Sequence, residues 1–140
     1  MTCGFIIRYM RSERLNPSAV ALRILYVEDN DLVREITLEI LSHPGHTVVA
    51  VASAEEALEL FESDAFDVVV TDISLPAMSG LDLAREILQR DRNVPIIIAT
   101  GYNLHGKNFA LGERVRAITK PFDQEQFDQV LDELCPRPAP

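Results

Sequence analysis

From Arg23 onward the chain alternates short apolar runs rich in β-branched residues with longer stretches in which apolar residues recur every three or four positions. The short runs are Ile24-Leu25-Tyr26-Val27, Thr47 to Ala52, Val68-Val69-Val70-Thr71, Ile96-Ile97-Ile98-Ala99 and Val115 to Thr119, and they predict five strands. The first, third and fourth are continuous rather than alternating. A strand of that kind is covered on both faces, as in a parallel sheet flanked by helices. Between the runs, Leu32, Ile36, Ile40 and Leu41 predict one amphipathic crossover helix, Ala57, Leu58 and Phe61 a second, and Leu81, Leu83, Ala84, Ile87 and Leu88 a third. Each is expected to turn these residues inward.

Punctuation supports the same boundaries. Ser53 with Glu56 forms a capping-box pattern, and Ser79-Gly80 precedes the third helix. A last helix runs from about Asp123 to Leu134 with Phe127, Val130, Leu131 and Leu134 inward, and Pro136, Pro138 and Pro140 follow it. The fourth crossover, Asn103 to Arg114, differs. Gly106 and Gly112 bracket a stretch with little apolar periodicity, so any helix there is expected to be short or frayed. The fold class is α/β, a doubly wound five-stranded parallel sheet, and such sheets place ligands at the carboxyl ends of their strands.

Composition narrows the picture. The chain of 140 residues is 47% hydrophobic and 25% charged, suited to one folded domain rather than to disorder. Residues 23–135 read as that domain, residues 1–22 as a poorly ordered N-terminal extension and residues 136–140 as a Pro-rich tail. Within the extension, Arg8, Arg11 and Arg14 beside Phe5-Ile6-Ile7 also fit a short membrane-surface or partner-binding helix. The net charge of −9 argues against direct binding to nucleic acid or to anionic lipid. Cys3 and Cys135 lack metal-ligand spacing, and no apolar stretch is long enough to cross a bilayer, so the expected location is the cytoplasm. His43, His46 and His105 also lack ligand spacing and receive no role. Asp64 and Asp67 read as bordering the turn before the third strand.

Chemistry is therefore sought at the strand ends. The first strand ends in Glu28-Asp29, the third in Asp72, the fourth in Thr100 and the fifth in Lys120-Pro121. Singly, each has a structural explanation as a cap, a turn or a solvated lysine. Together, three carboxylates at one sheet edge repel one another unless a cation lies among them, and hard oxygen donors in a small open cluster suit Mg²⁺. A lysine and a hydroxyl beside them are the groups that a transferring phosphoryl requires. No Gly-rich loop with a Walker lysine occurs, which leaves a carboxylate, used as a nucleophile, as the acceptor.

At these positions the chain, from about Arg23 to Leu134, resembles the receiver domain of two-component response regulators. The resemblance is carried by Glu28-Asp29, by the segment Asp72-Ile73-Ser74-Leu75-Pro76-Ala77-Met78-Ser79-Gly80, by Thr100-Gly101 and by Lys120-Pro121-Phe122. It implies a flavodoxin-like receiver fold with strand order 2-1-3-4-5. It also implies a phosphorylated Asp72, with Mg²⁺ held by Glu28, Asp29, Asp72 and the backbone carbonyl of Ser74, and phosphoryl oxygens held by Thr100 and Lys120. Gly101 would leave access to the acceptor, and the bond before Pro121 is expected to be cis. The implied partners are a sensor histidine kinase or phosphotransfer protein as donor and a downstream protein. The latter would bind the face of the fourth crossover, fifth strand and last helix, through which a homodimer could also form. Such a protein is a signalling acceptor with slow self-catalysed chemistry, not a turnover enzyme.

Two departures shape the expected output. Most receivers place Tyr or Phe three residues before the lysine, where this chain has Ala117. The segment Ile98-Ala99-Thr100-Gly101-Tyr102 is similar to a single-domain subclass named for a Phe-Ala-Thr-Gly-…-Tyr motif, in which Tyr102 could take the aromatic role. Readout by loop ordering between Asn103 and Arg114 is then expected. Two rival readings fit the same residues, an unphosphorylated receiver-like interaction module and a small Mg²⁺-dependent phosphatase. The second would usually show two aspartates one residue apart, whereas Asp72 is followed by Ile73 and Ser74.

Overall fold

The computed structural model describes residues 21–43, 45–104 and 107–134. The strands are β1 (Arg23–Val27), β2 (Thr47–Val51), β3 (Val68–Asp72), β4 (Ile96–Thr100) and β5 (Val115–Thr119). The helices are α1 (Asp31–Ser42), α2 (Ala54–Ser63), α3 (Gly80–Arg90) and α4 (Gln124–Leu134). All strand pairs are parallel, in the order β2-β1-β3-β4-β5, as the resemblance implied. The chain order reverses beside β1, where β2 lies on one side and β3 on the other, and ligands of such sheets bind at this switch point.

Strand alternation sorts the core into two layers. Ile24, Tyr26, Val68, Val70, Ile97, Ala99 and Ile118 pack with Leu41 of α1 and with Phe127, Val130, Leu131 and Leu134 of α4. Leu25, Val27, Val69, Ile96, Ile98 and Val115 pack on the other side with Ala54 and Ala57 of α2 and Leu83, Ala84 and Ile87 of α3. The continuous apolar runs are thus buried on both faces, and β3 and β4 are buried throughout.

The caps form as the sequence indicates. Ser53 Oγ accepts the Glu56 amide at 3.2 Å and Ser79 Oγ accepts the Asp82 amide at 3.1 Å. Asn30 Oδ1 accepts the Val33 amide at 3.0 Å and starts α1 directly after the acidic pair.

Three expectations change. Leu32 and Ile36 do not face inward but are 64% and 56% exposed. Thr37 and Leu41 are the buried residues of α1, and an apolar period fixes a helix stripe without fixing how much of it the sheet covers. The fourth crossover has no helix among its described residues. Phe109 and Ala110 take φ of 55° and 59°, and Gly112 takes 138°, values incompatible with a right-handed helix. Phe109 and Leu111 pack against the second layer where a helix face would otherwise lie. Finally, Leu22 belongs to the core, 2% exposed, rather than to the extension. The proposed helix in residues 1–20, the Pro-rich tail and both cysteines lie outside the described residues.

Candidate metal and phosphoryl site

Alternation carries the site as well as the core. Glu28 follows the parity of Ile24 and Tyr26, Asp72 that of Val68 and Val70, and Lys120 that of Ile118, so all three rise from the α1/α4 side of the sheet. Lys120 Nζ lies 3.0 Å from Asp72 Oδ1 and 3.2 Å from Glu28 Oε1. Glu28 and Asp72 are buried, whereas Asp29 is exposed. Ligand oxygens of Glu28, Asp29 and Asp72 all come within 4.8 Å of one another.

The backbone holds these groups firmly. Glu28 Oε2 accepts the Asn30 amide at 3.1 Å, and Arg34 Nη1 donates to the Glu28 carbonyl at 2.8 Å. The Ile73 amide donates to the Ala99 carbonyl at 2.9 Å, extending the β3–β4 ladder past Asp72. The Gly80 amide donates to the Ile73 carbonyl at 3.0 Å. A Cβ at Gly80 would lie well inside van der Waals contact distance of the Asp72 carbonyl oxygen, so only glycine lets α3 start this close behind Asp72. The Lys120 amide donates to the Thr100 carbonyl at 2.7 Å, tying the end of β5 to β4, and the Lys120–Pro121 peptide is cis as expected.

The electrostatics are those of crowded charge. Burial raises the Glu28 pKa, the Asn30 amide opposes this, and Asp72 adds to the rise while Lys120 offsets part of it. For Lys120, burial pulls downward, but the hydrogen bond and charge of Asp72, together with Glu28, outweigh it and leave the pKa above its ordinary value. Three carboxylates facing one ammonium leave an excess of negative charge, and the donors are all hard oxygens. That set fits Mg²⁺, which takes few protein ligands and keeps several waters.

Thr100 is placed differently. It follows the parity of Ile96 and Ile98, toward the α2/α3 side, is fully buried, and its Oγ1 accepts the Tyr102 amide at 3.1 Å. Gly101 and Ser74 are exposed, Tyr102 is 72% exposed, and Ala117 is buried. The structure thus brings Glu28, Asp29, Asp72 and Lys120 together and leaves Thr100 on the other side of the sheet edge.

Sequence reasoning missed several supports. In the sequence Gly80 reads as part of a cap, although its real constraint is the closeness of the Asp72 backbone. His46, given no role, accepts the Leu22 amide through Nδ1 at 3.1 Å, and burial lowers its pKa. Asp67 Oδ2 accepts the Arg23 amide at 2.8 Å, and Asp64 pairs with the Arg23 guanidinium at 2.7 Å, so the two aspartates clamp the start of β1. Beside the site, Val33, Ile36, Ile40, Pro121 and Phe122 line an apolar depression that ends at Lys120.

Among the described residues, no helix is long and apolar enough to cross a membrane. A family model described as "Response regulator receiver domain" matches residues 24–132. The chain is 37% identical over 118 residues to the two-component response regulator PhoP of Pseudomonas aeruginosa, covering 83% of this chain and 52% of that protein. It is 34% identical over 116 residues to the sensor protein TorS of Escherichia coli, covering 79% of this chain and 12% of that protein. The chain therefore spans about half or less of these curated relatives. Among solved structures, response regulator TrrA of Thermotoga maritima, in complex with Mg²⁺ and BeF, is 31% identical with a TM-score of 0.71, covering 81% of this chain and 98% of that one. The receiver domain of sensor histidine kinase PA1611 from Pseudomonas aeruginosa, with magnesium in its active-site cleft, is 28% identical with a TM-score of 0.72, covering 82% and 98%. With its fold, its strand-end acids and these matches in agreement, the chain belongs to the response regulator receiver domain family of two-component systems.

Proposed function

We propose that Asp72 is the phosphoacceptor of a His-Asp phosphorelay and that this chain acts as a phosphorylation-driven switch rather than as a turnover enzyme. The observation that carries the reading is the Lys120 ammonium seated 3.0 Å from Asp72 Oδ1 in a cluster of three carboxylates, of which Glu28 and Asp72 are buried. In the transfer, an Asp72 carboxylate oxygen forms a bond to phosphorus. The bond from phosphorus to the donor imidazole nitrogen, or to the acyl oxygen of acetyl phosphate, breaks, and its electron pair leaves with that group. Lys120 then holds a phosphoryl oxygen, and Thr100 turns in to hold another. Glu28, Asp29, Asp72 and the Ser74 carbonyl would hold Mg²⁺, which supplies neutralisation of the phosphoryl oxygens and requires these carboxylates ionised.

The protein donor, a sensor histidine kinase or phosphotransfer protein, docks on the exposed Leu32 and Ile36 of α1 and the apolar depression beside Lys120. An apolar surface next to an acceptor excludes water from the transfer while the two proteins are in contact. The downstream partner binds a separate surface formed by the fourth crossover, β5 and α4, on which Gly101 and Tyr102 are exposed and beneath which Ala117 is buried.

Incubation with Mg²⁺ and acetyl phosphate, followed by intact mass, tests the reading. One phosphoryl adduct is expected in the wild type, lost in Asp72→Ala and on chelation of Mg²⁺. An adduct that survives Asp72→Ala, or no adduct under any condition, overturns it.

A further inference from the structure

Thr119 ends β5 with its hydroxyl oxygen buried and, among the described residues, without a hydrogen-bond partner. Buried polar groups are nearly always paired, and an unpaired one destabilises the fold that contains it. Thr100, the pivot of the proposed switch, is its register partner on β4. Neighbouring strands lie about 4.8 Å apart, so the two side chains are neighbours on the α2/α3 side of the sheet. Ala117, two residues earlier on β5 and on that same side, contributes only a methyl group.

The Thr100 hydroxyl is already engaged, as acceptor for the Tyr102 amide. To hold a phosphoryl oxygen on Asp72 it must turn toward the α1/α4 side and spend its single proton there. That rotation strips the part-buried Tyr102 amide of its acceptor. We propose that Thr119 is a positioning residue whose hydroxyl takes over the Tyr102 amide when Thr100 turns to the phosphorylated Asp72. The inference rests on the phosphoacceptor reading above.

The handover reaches the crossover through consecutive backbone bonds. The Tyr102 carbonyl accepts the Leu104 amide at 2.8 Å, the Leu104 carbonyl accepts Lys107 at 3.0 Å, and the Lys107 carbonyl accepts Ala117 on β5 at 2.8 Å. A shift of Tyr102 toward the end of β5 therefore displaces a segment already tied to that strand. This gives the chain, with Ala117 on β5, a coupling that needs no aromatic side chain at that position.

The test uses ¹⁵N-labelled full chains of the wild type, Thr119→Val and Thr119→Ser, titrated with beryllofluoride in Mg²⁺ as the phosphoryl mimic. The wild type is expected to bind and to show a displaced, exchange-protected Tyr102 amide. Thr119→Val, nearly isosteric and lacking the hydroxyl, is expected to melt no lower than the wild type. It should bind beryllofluoride roughly two- to tenfold more weakly, the worth of one neutral hydrogen bond, with the Tyr102 amide unprotected. Thr119→Ser is expected to restore both readouts. If the wild type neither binds beryllofluoride nor takes phosphate from acetyl phosphate, the phosphoacceptor reading itself falls. If the wild type binds while Thr119→Val matches it in affinity and in Tyr102 protection, the handover alone is overturned. A lowered melting point in Thr119→Val, or failure of serine to rescue, assigns Thr119 a packing role and also overturns it.

Discussion

Replacing Lys120 by methionine keeps the side-chain length and removes the ammonium that sits between Glu28 and Asp72. Both carboxylates are nearly buried, at 3.2 Å and 3.0 Å from Nζ. Removing one partner of a fully buried ion pair costs about 3–5 kcal/mol. Here the lysine is partly exposed, and Glu28, whose pKa burial already raises, can take up a proton, so a loss of roughly 1–3 kcal/mol is expected without metal. Mg²⁺ at a hundred times its dissociation constant stabilises any protein that binds it only when folded by about 2.7 kcal/mol. The variant is expected to gain more than the wild type from Mg²⁺, because the lysine no longer competes for the same oxygens. Urea unfolding at pH 7, in EDTA and in saturating Mg²⁺, reads both effects. The gap between variant and wild type should shrink to less than half when Mg²⁺ is added. An equal gap in both conditions, or no gap in EDTA, would refute the view that Lys120 and the metal neutralise one shared set of charges.

Three further outcomes are expected. Gly80→Ala forces the start of α3 away from the Asp72 carbonyl, costing about 1–3 kcal/mol in urea unfolding by overpacking and slowing phosphorylation by acetyl phosphate. Because burial lowers the His46 pKa, the folded state favours the neutral ring, so stability is full above its ordinary 6.5 and declines as pH falls through and below that value. His46→Gln should flatten this part of the urea-midpoint profile. Leu32→Ser with Ile36→Ser changes exposed residues, so stability should move by less than about 0.5 kcal/mol and acetyl phosphate labelling not at all. Transfer from a histidine-phosphorylated donor protein should fall at least tenfold, and an unchanged rate would remove α1 from the docking surface.

The sequence by itself determined the element order, the parallel sheet and the positions of the acids, because these follow from local periodicity and from where each apolar run stops. Val68 to Asp72 reads as a buried strand ending in a carboxylate, and that is what forms. The caps at Ser53 and Ser79 were equally legible, since a cap is a contact across three residues. Tertiary structure decided whatever depends on two elements meeting. The helical period of Leu32 and Ile36 could not reveal that α1 turns Thr37 and Leu41 to the sheet and leaves the other two in solvent. The glycine at position 80 could not announce that a strand carbonyl would press against it. Nor could the order of residues show that Glu28, Asp72 and Lys120 share one face of the sheet while Thr100 and Thr119 share the other. That division follows from strand parity combined with sheet register, and it sets Thr100 apart from the Asp72 cluster.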